Sequence, residues 1–235
     1  KKGNCSMTTR FANGINNSTK NSALELMGQL DPTKYHTYWD DFDTTPIAAQ
    51  WTLTATSAGS GTSAITVPDA DGGLARITTA ANENDGIYAE WISETFKLES
   101  GKKTWMKCRI SVGDAIQSDW LIGLHSTDTT PHDATMRYIF ESVDGAAAVY
   151  FNNDNNTTDS DSSTVHTMVD DTFVTLAAYY DGGTEIKLYA NDVFVTTMTS
   201  ITVPGAEMAV GFGYINGAAG AETADVDYIF VAKER

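Results

Sequence analysis

The sequence predicts an all-β protein, built as two antiparallel sheets packed face to face. Three observations point there. From "YHTYWDDFD" onward the chain breaks into sixteen short strand-like runs, and Gly, Asp, Asn, Ser or Pro fills nearly every gap between them. No helical crossover separates those runs, which argues against a parallel sheet. The stretch "YYDGGTEIKLYANDVFVTTM" reads as a hairpin with one aliphatic and one mixed face, the pattern of a sheet that is dry on one side only.

The elements follow in order. The expected strands are "YHTYWDDFD", "WTLTAT", "AITVPD", "GLARITTA", "GIYAEWI", "ETFKL", "TWMKCRISV", "DWLIGLHS", "MRYIFES", "AAVYFNN", "TVHTMV", "FVTLAAYY", "EIKLYA", "VFVTTM", "EMAVGFGYI" and "VDYIFVAKE". So many short strands in one domain suit two large sheets. In the hairpin, Asn191-Asp192 makes a two-residue turn, since Asn and Asp tolerate positive φ. Ala190 is then expected opposite Val193, Leu188 opposite Val195 and Ile186 opposite Thr197, with Glu185, Lys187 and Tyr189 on the other face. In "WMKCRISV", Met106, Cys108, Ile110 and Val112 share one face, so Cys108 reads as a small core residue. Cys5 lies in a polar tail, and neither thiol has metal-type spacing. The polar run "NNDNNTTDSDSST", residues 152–164, reads as an exposed loop.

The first 38 residues differ. They are polar apart from "NSALELMGQL", where Ser22 and Glu25 form a capping box. Leu24, Leu26, Met27 and Leu30 line one side of a short helix, ended by Gly28 or Asp31-Pro32. Such a helix is too short to stand alone. Two readings stay open: a tail packed on its own domain, or an arm docked on a neighbour. The expected organisation is therefore an arm, 1–38, and a sandwich, 39–235. Met7 reads as a natural start, and the opening has no apolar core of a signal peptide.

Composition excludes some partners. The 235-residue chain has 15 Lys+Arg against 31 Asp+Glu, a net charge of −16. Such a surface repels phosphate, so nucleic acid and anionic membranes are unexpected. No run has the length of a membrane span.

The motifs carry little chemistry. Asp154, Asp159 and Asp161 offer oxygen ligands that suit calcium, but EF-hand spacing is absent. His36, His125, His132 and His166 fall in no zinc motif, although Asp128 and Asp133 lie near His125. No single strand carries the closely spaced acids of a glycosidase; Asp225 with Asp227, and Glu90 with Glu94, share faces without a third acid. No catalysis is expected and no cofactor is required. Tyr180, Tyr214 and Trp120 are candidates for an exposed sugar platform.

Two resemblances add to this. "FVTLAAYYDGGTEIKLYANDVFVTTM" and "DVDYIFVAKER" resemble the concanavalin A-like, laminin-G-like jelly-roll sandwich. The resemblance implies that the final strand pairs beside the first. "TTRFANGINN…LDPTKYHTYWDDFD" and "DGGLARITTAANENDGIYAEW" through "LIGLHSTDTTP" resemble structural proteins of tailed-bacteriophage heads. That resemblance implies a decoration protein on the capsid exterior, bound to the major capsid protein as a trimer. Phe11, Leu24, Leu26 and Leu30 are the expected anchors. The rival expectation is a glycan-binding lectin module on the virion.

Overall fold

The structure is a computed structural model that describes residues 33–235, apart from 44–48, 70, 157–159 and 200 and the side chains of 160 and 161. The strands are β1 (Tyr35–Asp40), β2 (Trp51–Thr56), β3 (Ala64–Thr66), β4 (Ala75–Thr78), β5 (Gly86–Trp91), β6 (Thr104–Val112), β7 (Ser118–His125), β8 (Met136–Ser142), β9 (Ala148–Asn155), β10 (Ser160–Thr167), β11 (Val174–Tyr180), β12 (Glu185–Ala190), β13 (Val193–Thr199), β14 (Ala209–Asn216) and β15 (Thr223–Glu234). They form two antiparallel sheets. One has seven strands in the order β10-β9-β8-β7-β14-β5-β2. The other has eight, in the order β13-β12-β11-β6-β15-β4-β3, with β1 also on β15. The long β15 uses one edge for β6 and shares the other between β4 and β1. The expected pairing of first and last strands is present.

Alternation sets the core. From β6, Met106, Cys108, Ile110 and Val112 point inward. From the facing sheet come Trp120, Ile122 and Leu124 of β7, Tyr138 and Phe140 of β8, and Phe212 and Tyr214 of β14. Cys108 is fully buried as expected, and burial pushes its thiol pKa far up. Tyr180, Tyr214 and Trp120 have the same inward parity and are 1%, 0% and 0% exposed, so none is a sugar platform. Among the described residues, the exposed aromatics are Trp39 and Phe194 instead.

Three other expectations need correction. "ETFKL" supplies only a bridge from Phe96 to Met208, not a strand. In the hairpin, Asn191 and Asp192 have φ of 49° and 62°, as the turn requires. The register then slips: Tyr189 faces Phe194 but Leu188 faces Thr196, so Val195 is an extra residue in a bulge. Finally, "NNDNN" is no loop. Asn152, Asn153 and Asp154 belong to β9 and are 6%, 0% and 4% exposed. Polar side chains are tolerated there because partners wait for them. Asn152 donates to Glu141 and Asn153 donates to the Thr202 carbonyl at 2.9 Å.

Candidate functional site

The outer face of the seven-stranded sheet gathers most of the buried charge in the described residues. Tyr88 and Glu90 come from β5, His125 from β7, Arg137 and Glu141 from β8, and Asp154 from β9. Each sits at a position of outward parity. Glu90, His125, Glu141 and Asp154 are nonetheless at most 7% exposed. The cover is the β7–β8 connection, residues 126–135, with a single 3-10 turn at Pro131–Asp133.

That connection is tied down at several points. Asp128 N donates to Glu90 Oε1 at 2.9 Å, and Thr127 N donates to Glu94 Oε1 at 2.7 Å. Tyr88 Oη and His132 Nδ1 lie 2.9 Å apart. To reach β5 the loop crosses β14, whose outward positions include Gly211 and Gly213. A Cβ on Gly211 would lie 2.1 Å from His125 Nε2, and one on Gly213 would lie 2.2 Å from Tyr88 Cδ1. The two glycines are flat places where the imidazole and the phenol lie down.

Arg137 organises the rest. Its Nε donates to Asp154 Oδ2 at 2.5 Å, and its Nη1 donates to the His132 carbonyl at 2.5 Å. The same Nη1 is 3.4 Å from Glu141 Oε2. Burial pushes the Glu141 and Glu90 carboxyls above the usual range. Burial also drives His125 down to about 4. Its Nδ1 donates to the Ser126 carbonyl at 3.0 Å, which fixes the tautomer. His125 is thus neutral at pH 7, and its 3.6 Å approach to Glu90 is not an ion pair.

Two adjoining hollows open beside Arg137 and His132. One, about 250 Å³, is lined by His132, Asp133, Thr135, Arg137, Asp154 and Asn156. The other, about 270 Å³, is lined by Tyr88, Asp119, Thr130, Arg137, Glu141 and Ile215 among others. Chemically they offer amide, hydroxyl and carboxyl groups, with one guanidinium largely neutralised by its own acids. Glu90 and Glu141 stand three strands apart, roughly 14 Å, while Glu141 and Asp154 are on neighbouring strands.

The sequence-derived sites fare unequally. Phe11, Leu24, Leu26 and Leu30 lie outside the described residues, as does Cys5. Of the calcium loop Asp154–Asp161, Asp154 faces Arg137 within β9, and the side chains at 157–161 lie outside the described residues. Asp225 and Asp227 stand on the other sheet, paired with Arg76 and Arg109. Glu90 and Glu94 do act together, as acceptors for one loop. Arg137 and Glu141 were missed, although Arg-Tyr-Ile-Phe-Glu shows charges at outward parity inside a strand.

No family model matches the chain, and no curated protein matches it. Solved structures do. A protein of unknown function from Shewanella oneidensis MR-1 is 14% identical, with a TM-score of 0.60, over 86% of this chain and 87% of that one. An endo-1,3-beta-glucanase from Streptomyces sioyaensis is 15% identical, with a TM-score of 0.58, over 87% and 98%. The carbohydrate recognition domain of Emp47p is 13% identical, with a TM-score of 0.57, over 86% and 98%.

The fold is a concanavalin A-like jelly roll. At these identities the likeness speaks for architecture alone, and nothing in it points to a phage head. It does correct the expectation that the protein is no enzyme, because glucanases and carbohydrate-recognition domains share this sandwich. The physical reason is plain. A search for acids along one strand overlooks acids that three strands bring to one face, and Glu90, Glu141 and Asp154 are such a set.

Proposed function

We propose that the protein is a decoration protein of a bacteriophage head. It seats on the outer surface of the shell as a homotrimer bound to the major capsid protein and stabilises the particle. The sequence resemblance to head structural proteins supports this reading. So does one structural observation: the outer face of the eight-stranded sheet ends in exposed apolar groups at both edges. Trp39 of β1 is 56% exposed and lies against Tyr228 and Phe230. Across the sheet, Phe194, opposite the outward-facing Tyr189, is 54% exposed. Trp39, Phe230, Lys107, Ala177, Tyr189 and Phe194 occupy one row over six strands, about 24 Å across. An apolar-edged face suits contact with another protein better than capture of a small ligand. Shell symmetry then multiplies a modest contact into firm attachment.

The test is binding to purified, undecorated heads. Wild type should co-sediment with them and raise their disruption temperature. Trp39→Asp combined with Phe194→Asp should abolish both effects while the thermal unfolding of the free protein stays within a few degrees. Undiminished attachment by the double variant would overturn the reading.

The hollows beside Arg137 favour a second reading, carbohydrate binding. They are sized for one or two sugar rings and lined by groups that pair with hydroxyls. Glycan-array binding that is lost in Glu141→Gln, or reducing-sugar release from a β-1,3-glucan, would support it; neither would follow from shell docking.

A further inference from the structure

One end of the sandwich differs in chemistry from the rest of the surface. The connections 57–63, 79–85, 113–117, 143–147, 168–173, 191–192 and 217–222 meet there. Together they hold eight acids and no lysine, arginine or histidine. Three of these connections are laced to one another across the end. Gly145 N donates to the Ile116 carbonyl, Met168 N to the Ala147 carbonyl and Asp171 N to the Val112 carbonyl, each at 2.8 Å. Ala115 N donates to Asp170 Oδ1 at 2.9 Å. On this platform Ile116, Val143 and Val169 are 51%, 49% and 61% exposed. Single exposed apolar residues are ordinary, but three on one hydrogen-bonded platform make a patch. Asp114, Asp144, Asp170 and Asp171 stand in the same three connections. Glu222 lies beside them, since a Cβ on Gly113 would be 2.8 Å from its Oε2. Burial, then the charges of Asp114, Asp171 and Asp170, push the Glu222 carboxyl above its usual range.

We infer that this end docks a basic protein surface, whose apolar knob covers Ile116, Val143 and Val169 while its lysine or arginine side chains meet the surrounding acids. Charge decides the occupant. Two copies of this chain would set acid against acid, which disfavours self-association through this end. Phosphate-bearing partners, whether nucleic acid or lipid headgroups, are repelled in the same way. A metal ion fits poorly, because no three acid, histidine or cysteine side chains converge on one point among the described residues. Asp114 Oδ1 is held instead by Ile116 N and Gln117 N, at 2.9 and 2.8 Å. Three apolar side chains give much less than the about 800 Å² per partner of a standard interface. The acids therefore carry much of the contact, and its strength falls with salt. The lacing sets the loops before the partner arrives, which lowers the ordering cost of binding. This surface is separate from the row between Trp39 and Phe194. That row crosses a sheet face, whereas these loops cap the end, so the inference stands whether or not the sheet face meets a shell.

The probes are two synthetic peptides of equal charge, KKLKLKK and KKSKSKK, added to the full chain while its backbone amide shifts are followed by NMR. The leucine peptide should move the amides of 113–117, 143–147 and 168–172 and bind about fivefold more tightly than the serine peptide. Its affinity should fall as salt rises from about 0.05 to about 0.3 M. Ile116→Ser with Val169→Ser should erase the preference for leucine. Asp144→Asn with Asp171→Asn should weaken both peptides about fivefold at low salt. All four positions are exposed, so both double variants should keep the wild-type melting temperature. No binding, equal binding of the two peptides, or shifts scattered over the whole acidic surface would overturn the inference. So would concentration-dependent shifts of the same amides without peptide, because the partner would then be a second copy.

Discussion

The two sheets of this sandwich both have outer faces that are drier than solvent-facing sheets usually are, and they reach that state by opposite means. The seven-stranded sheet buries charge: Glu90, Glu141 and Asp154 are enclosed beside the 126–135 connection, the last two against the half-buried Arg137. The eight-stranded sheet buries aromatic rings, those of Trp105, Tyr179 and Tyr189, and leaves its ion pairs at the surface. Arg76–Asp225 and Arg109–Asp227 have side-chain exposures of 44%/18% and 38%/22%. Formal ion pairs of similar length therefore have very different worth. An enclosed network depends on every member, whereas an open pair is largely replaceable by water.

The sharpest way to break that contrast is to remove one cation from each face. Arg137→Ala leaves Asp154 and Glu141 without their partner and should cost about 3–5 kcal/mol in chemical denaturation. Arg76→Ala should cost less than about 1 kcal/mol. Similar losses for the two variants would mean that the enclosed network is better hydrated than its burial implies.

A smaller effect concerns pH. His125 titrates at about 4 when folded, below its ordinary value of 6.5. The unfolded chain therefore takes up a proton between pH 6.5 and 4 that the native state refuses. Stability from this residue is present above pH 6.5, falls through that window by at most about 3 kcal/mol, and is flat below it. The raised carboxyls of Glu90 and Glu141 act in the other direction, since their folded forms favour the proton as pH falls. Denaturation midpoints of His125→Gln against wild type, from pH 7 to 4, should isolate the histidine slope. Parallel curves would refute it.

Smaller again is Gly211→Ala. The new methyl would press on the His125 ring and should cost about 1–3 kcal/mol by thermal unfolding. Gly211→Ala combined with His125→Ala should recover part of that loss.

These comparisons also show what the sequence makes legible. Nearly all strands, the sandwich, the inward thiol of Cys108 and the Asn191-Asp192 turn follow from alternation and turn chemistry, which are local. No residue type marks the bulge at Val195. The strand "NNDNN" contradicts local propensity; it holds because Arg137, Glu141 and the Thr202 carbonyl answer its polar groups across the fold. The charged site was hidden for the same reason. Its acids come from three strands, and only the strand order β9-β8-β7-β14-β5 places them on one surface.

Strand β15 carries a consequence for how the molecule is made. It occupies an interior place in its sheet, joined to β6 on one flank and to β4 and β1 on the other. The Arg76–Asp225 contact alone spans 149 residues. While the ribosome is still translating toward residue 223, β1 and β6 therefore have open edges where β15 will sit. Exposed edges of that kind invite pairing between nascent chains. Folding yield should accordingly depend on how quickly this one late segment inserts, and slow, non-local closure sets its pace.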